Sequence, residues 1–99
     1  MPALEAHVET PRAARYLTQL SSHLSHGPGG LQVLSESADQ LLVDLGTATW
    51  TIRSTPEQLI LHLAADDPAA LEQQSTRVAH RIEQLARRDG LTVRWESAQ

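Results

Sequence analysis

The stretch from Asp39 to Ala64 reads DQLLVDLGTATWTIRSTPEQLILHLA, and it decides the fold. Within Thr47–Ser54, Ala48, Trp50 and Ile52 alternate with Thr49, Thr51 and Arg53. Within Gln58–Ala64, Leu59, Leu61 and Leu63 alternate with Ile60 and His62. A side-chain period of two sends the two sets to opposite sides of an extended chain, so each run reads as a strand with one covered face. Asp39–Leu45 reads as the strand before them. Gly46 and Ser54-Thr55-Pro56-Glu57 supply the turns between the three. Such short connections join antiparallel neighbours, because a parallel pair needs a crossover of a dozen residues or more.

Working outward, Leu31–Ser37 is a fourth strand, joined through Ser37-Ala38-Asp39. Near the N-terminus, Leu4, Ala6 and Val8 alternate with Glu5, His7 and Glu9, giving a strand over residues 3–9. Thr10-Pro11 then places a capping hydroxyl before a proline whose missing N–H costs nothing in a helix's first turn. That helix is expected to reach His26 and stop at Gly27-Pro28-Gly29-Gly30, with Ala13, Tyr16, Leu17, Leu20 and Leu24 facing inward. Asp67-Pro68 repeats the device and opens a second helix, with Leu71, Ser75, Val78, Ile82 and Leu85 inward and its end at Asp89-Gly90. Leu91, Val93 and Trp95 alternate with Thr92, Arg94 and Glu96 as a last strand.

The order is β-α-β-β-β-β-α-β, which predicts an α+β two-layer sandwich with both helices on one face of a largely antiparallel sheet. The uncovered face then carries Glu5, His7, Glu9, Gln40, Asp44, Thr49, Thr51, Arg53, His62, Thr92 and Arg94, with Leu34, Leu42 and Ile60 as its sizeable apolar members. The core is expected to join Leu20, Leu24, Trp50, Leu61, Val78, Ile82 and Val93.

Composition bounds the function. The 99 residues make a single domain, 1–99, and the absence of cysteine excludes disulfides, thiolate metal sites and a cysteine nucleophile. Twelve acidic residues against eight basic ones give a net charge of −4, with no basic surplus to drive nucleic-acid or anionic-membrane binding. All eight basic residues are arginine, which excludes Schiff-base lysine chemistry. Tyr16, Trp50 and Trp95 are the only aromatic residues, too few for a platform that stacks single-stranded nucleic acid. No apolar run is long enough to span a bilayer and no leader pattern opens the chain, so a soluble cytoplasmic domain is expected.

No nucleotide-binding loop, zinc-protease motif or nucleophile elbow is present, and no catalytic residue is predicted. The candidate ligand site is a stripe on the first helix: Arg12, Arg15, Gln19, His23 and His26, spaced by three, four, four and three residues. These positions fall on one border of the apolar face, where two fixed cations and two imidazoles suit an anion such as a carboxylate or a hydroxamate-type chelate. The same residues also describe a helix edge whose stems pack and whose heads stay wet, a common arrangement on amphipathic helices. His23-x-x-His26 has the spacing of a metal pair, and His7 between Glu5 and Glu9 offers further ligands that nothing in the sequence brings to the helix end. Metal and cofactor are therefore left unassigned. His62 and His80 read as solvent-facing, the two tryptophans as core, and Asp66-Asp67 as helix capping.

The run Ala6-His7-Val8-Glu9-Thr10-Pro11-Arg12-Ala13-Ala14-Arg15-Tyr16-Leu17-Thr18-Gln19-Leu20 followed by His23 resembles the opening signature of a family of small bacterial domains of unknown function, associated with siderophore-interacting proteins. The resemblance runs on to Val93-Arg94-Trp95-Glu96 and so covers nearly the whole chain. It departs in the second helix, where Arg81 stands before Ile82 in the family's histidine position and His80 lies one residue earlier. The resemblance implies a setting in iron and siderophore handling and no established activity. The leading expectation is a non-enzymatic accessory module that binds a small anionic ligand or a partner protein through the helix stripe. An interaction or homodimerisation domain using the open sheet face, and a hydrolase or reductase component, stand as alternatives.

Overall fold

The computed structural model describes residues 2–26 and 32–98, apart from the side chains of residues 23–26 and 32. The glycine-proline connector after the first helix lies outside these residues, as does the side chain of Leu24. Strand β1 is Ala3–Glu9 and helix α1 is Ala13–His26. Strands β2 (Gln32–Glu36), β3 (Gln40–Asp44), β4 (Ala48–Ser54) and β5 (Gln58–Ala65) follow, then helix α2 (Pro68–Leu85) and strand β6 (Glu96–Ser97). The described residues form one sheet in the order β2-β3-β4-β5-β1-β6, with every neighbouring pair antiparallel.

The predicted registers place the faces correctly. Ala6 and Val8 of β1, Leu41 and Val43 of β3, Trp50 and Ile52 of β4, and Leu59, Leu61 and Leu63 of β5 are all buried. They join Leu17 and Leu20 of α1 and Leu71, Val78 and Ile82 of α2 in one core cluster, so both helices cover the same side of the sheet. The Trp50 ring is fully buried, and its Nε1–H has no acceptor among the described residues. On the opposite face Glu5, Gln40, Thr51, Arg53, Ile60 and His62, drawn from four adjacent strands, line a shallow depression of about 270 Å³.

The cap of α2 follows the sequence, whereas α1 begins at Ala13, with Pro11 and Arg12 in a turn before it. The Arg12 N–H donates to Thr10 Oγ1 at 3.1 Å, and Thr10 itself is buried through its own N–H bond to the Glu57 carbonyl at 2.9 Å. Asp67 Oδ1 accepts from the Ala69 N–H at 2.8 Å, with Pro68 in the first turn. At the β3–β4 turn Gly46 takes a φ of 91°, a backbone region that only glycine enters at little cost.

Three expectations need correction. The second helix does not continue to Asp89: α2 ends at Leu85, and Arg87–Asp89 form a separate 3-10 turn closed by Gly90 at a φ of 65°. Residues 91–95 are not a strand, and only Glu96 and Ser97 pair with β1, opposite Glu5 and Leu4. Thr92 and Arg94 therefore leave the open sheet face, and Val93 is half-buried instead of being a core member. What holds this segment is side-chain bonding to α2: the Val93 N–H donates to Glu83 Oε2 at 3.0 Å, and Trp95 Nε1–H donates to the Ser75 carbonyl at 3.2 Å. Trp95 too is half-buried. Gln74 was not anticipated in the interior; it is buried with its amide donating to Thr47 Oγ1 at 3.0 Å.

Candidate anion-binding site

Thr10 bonds the Pro11-Arg12 turn that leads into α1, and the helix period from Ala13 onward sets which side chains border its buried face. Tyr16 points inward and is buried, while Arg12, Arg15 and Gln19 flank it on the solvent side. Across from them the chain leaves α2 at Ala86, which is buried, and the 3-10 turn carries Arg87 and Arg88 outward. Arg12, Arg15, Tyr16, Gln19, Gln84, Leu85, Arg87 and Arg88 together line a pocket of about 380 Å³. Four guanidinium groups thus surround a space whose described lining includes no carboxylate.

Asp89 ties the two sides together from beside the pocket. Its Oδ1 accepts from Arg12 Nη1 at 3.1 Å, and its Oδ2 accepts from the Tyr16 hydroxyl. That bond to a carboxylate favours the neutral phenol and raises the Tyr16 pKa above its ordinary value, and burial and the Asp89 charge push the same way. Arg12 remains more than half exposed beside this clamp. Among the described residues no carboxylate lies within ion-pair distance of Arg15, Arg87 or Arg88.

Of the predicted stripe, Arg12, Arg15 and Gln19 come together in the pocket. His23 and His26 occupy the last turns of α1, and their side chains lie outside the described residues. The residues that the sequence stripe omitted are Tyr16, Gln84, Leu85, Arg87 and Arg88. Their signal was present in Ala86-Arg87-Arg88-Asp89-Gly90, a paired cation before a helix-ending glycine, but a helix running through it would have spread the arginines around its circumference.

The other candidates separate. His7 Nδ1 lies 3.2 Å from Gln58 Oε1 and its Nε2 lies 3.5 Å from Glu5 Oε2, all on the open sheet face. No group of three His, Cys, Asp or Glu side chains that could hold a metal ion occurs among the described residues. His62 lies in the sheet-face depression, and His80 is exposed on α2. Among the described residues no helix is long and apolar enough to cross a membrane.

A family model described as "Uncharacterized protein conserved in bacteria (DUF2218)" matches residues 5–96. The chain belongs to the DUF2218 family. That match spans both helices and the sheet, including every described residue of the arginine pocket, and the family description names neither an activity nor a siderophore. The DUF2218 chain is similar to the NMR structure of PA4090 from Pseudomonas aeruginosa, at 24% identity and a TM-score of 0.76. The alignment covers 97% of this chain and 96% of that one, and it shows a shared fold. No curated protein matches the chain.

Proposed function

We propose that this DUF2218 domain is a non-enzymatic accessory module that binds a small anionic ligand at the pocket between α1 and the turn after α2. The observation that carries the proposal is the convergence of Arg12, Arg15, Arg87 and Arg88 on one pocket in a chain of net charge −4. Guanidinium groups grip carboxylates and similar planar anions through paired N–H donors. Gln19 and Gln84 add neutral donors and acceptors at the pocket walls. The sequence resemblance to siderophore-associated domains makes ferric carboxylate and hydroxamate chelates the first probes.

The test is thermal unfolding with citrate, ferric citrate and ferric acetohydroxamate, for wild type and Arg15→Ala. A chelate at 100 times its Kd stabilises the native state by about 2.7 kcal/mol, and the Arg15 variant is expected to unfold cooperatively without that gain. No stabilisation by any of the three probes would end this reading.

A second reading uses the open sheet face for homodimerisation. Leu34, at 51% exposure, and the half-buried Leu42 and Ile60 favour it, being apolar groups on a face that no helix covers. Light scattering across concentration for wild type and Leu42→Arg decides it, with a wild-type protein that remains monomeric counting against association.

A further inference from the structure

The arginine pocket does not end at α2. Gln84 and Leu85 also line a second basin of about 660 Å³, whose other described walls are Leu20, Arg77, His80 and Arg81. The two spaces share Gln84 and Leu85 as a common wall and so lie side by side as a two-part trough along α2. Arg77, Arg81 and Gln84 are spaced by four and three residues, the rule for neighbours on one helix face, and Arg88 continues the row past the helix end. Six of the eight arginines in the chain border this trough: Arg12, Arg15, Arg87 and Arg88 at one end, Arg77 and Arg81 at the other. No carboxylate is among the described linings of either part.

Its middle differs from its ends. The wall that the two parts share is the half-buried Leu85 beside the exposed Gln84, so the ground between the two cationic clusters holds an apolar side chain and no charge. A compact polyanion would leave that ground uncovered, whereas a long aliphatic acid with one head would leave one cluster unused. We infer that the trough is built for an elongated dianion with an apolar middle, one anionic end held by Arg15 and Arg88, the other by Arg77 and Arg81, and the spacer lying over Leu85. At about 1.5 Å per helical residue, Arg81 stands about 6 Å from Leu85 along α2, and Arg88 lies on the other side of Leu85, past the helix end. This inference rests on the anion-binding reading of the first pocket and adds the shape of the ligand to it.

Three simple acids test it by calorimetric titration at low ionic strength. Succinate carries two carboxylates on a short chain, nonanoate one carboxylate on a nine-carbon chain, and azelate two carboxylates on a nine-carbon chain. Azelate is expected to bind at least tenfold more tightly than either of the others. Arg81→Gln, an exposed position, should remove that advantage while leaving succinate binding unchanged, and Arg15→Ala should weaken succinate and azelate alike. Azelate binding no tighter than succinate, or an unaltered azelate advantage in Arg81→Gln, overturns the two-ended site and leaves the arginine pocket standing on succinate. Failure of all three acids to bind wild type overturns both readings together.

Discussion

Tyr16 shows how one residue can join stability to the candidate site. Its ring belongs to the core, while its hydroxyl leaves the core to meet Asp89 beside the arginine pocket. Because the folded chain favours the neutral phenol, the Tyr16 pKa is raised by the Asp89 bond first and by burial second. The associated stability is fully present below the ordinary tyrosine pKa of about 10 and is lost as pH rises through the higher folded value. Tyr16 is the single tyrosine of the chain, so its ionisation can be followed directly by ultraviolet absorbance. Ionisation is expected above the ordinary tyrosine range in wild type and nearer to it in Asp89→Asn. Tyr16→Phe should cost about 1.5–3 kcal/mol in urea unfolding at neutral pH, the usual scale for a hydrogen bond to a charged group, and should remove this group's share of the alkaline loss.

At the scale of elements, the packed interface between helices and sheet carries the stability. Leu20 and Ile82 are each 1% exposed on opposite helices, and both belong to the same cluster as Trp50 and Leu61. Replacing either with alanine should destabilise by about 2–5 kcal/mol, read from denaturant midpoints with an unchanged slope. This part of the architecture was legible because its causes are local: period-two rows in β3 to β5, a proline at or just before each helix start, and glycine where the backbone needs a positive φ. The final segment was misread for a physical reason. Alternation from Leu91 to Trp95 reports an extended chain with one covered side, and that side is covered through α2 by Glu83 and Ser75. A hydrogen-bonded ladder also needs a strand edge in register, which β1 offers only to Glu96 and Ser97. The arginine pocket was half legible for a related reason. Spacing along α1 gave Arg12, Arg15 and Gln19, but the opposite wall depends on where α2 stops, and that is decided by tertiary packing around Ala86.

Over the whole molecule, charge and shape are sorted between layers. The net charge of −4 coexists with a helix layer holding six of the eight arginines around two adjoining pockets. The groups are exposed, so their attraction for a small anion is screened over a Debye length of about 8 Å at physiological ionic strength. Citrate affinity measured by calorimetry should therefore fall steadily between dilute buffer and 0.5 M sodium chloride, by tenfold or more. A salt-independent affinity would mean that contacts other than these guanidinium groups hold the ligand.

The pairing of β6 with β1 has a topological consequence. The Ala98 N–H donates to the Ala3 carbonyl at 3.0 Å, so the two ends of the folded unit leave it side by side. A unit with adjacent ends can be spliced into a surface loop of a host protein without prying the host apart, and its chain can be closed into a ring and reopened elsewhere. A circular permutant that links residues 98 and 3 by a short glycine-serine bridge and opens the chain at Gly46 is expected to keep the native circular dichroism spectrum and a cooperative melt. Loss of cooperativity would mean that the β3–β4 turn is needed to set the sheet, and would move the tolerated break to another turn.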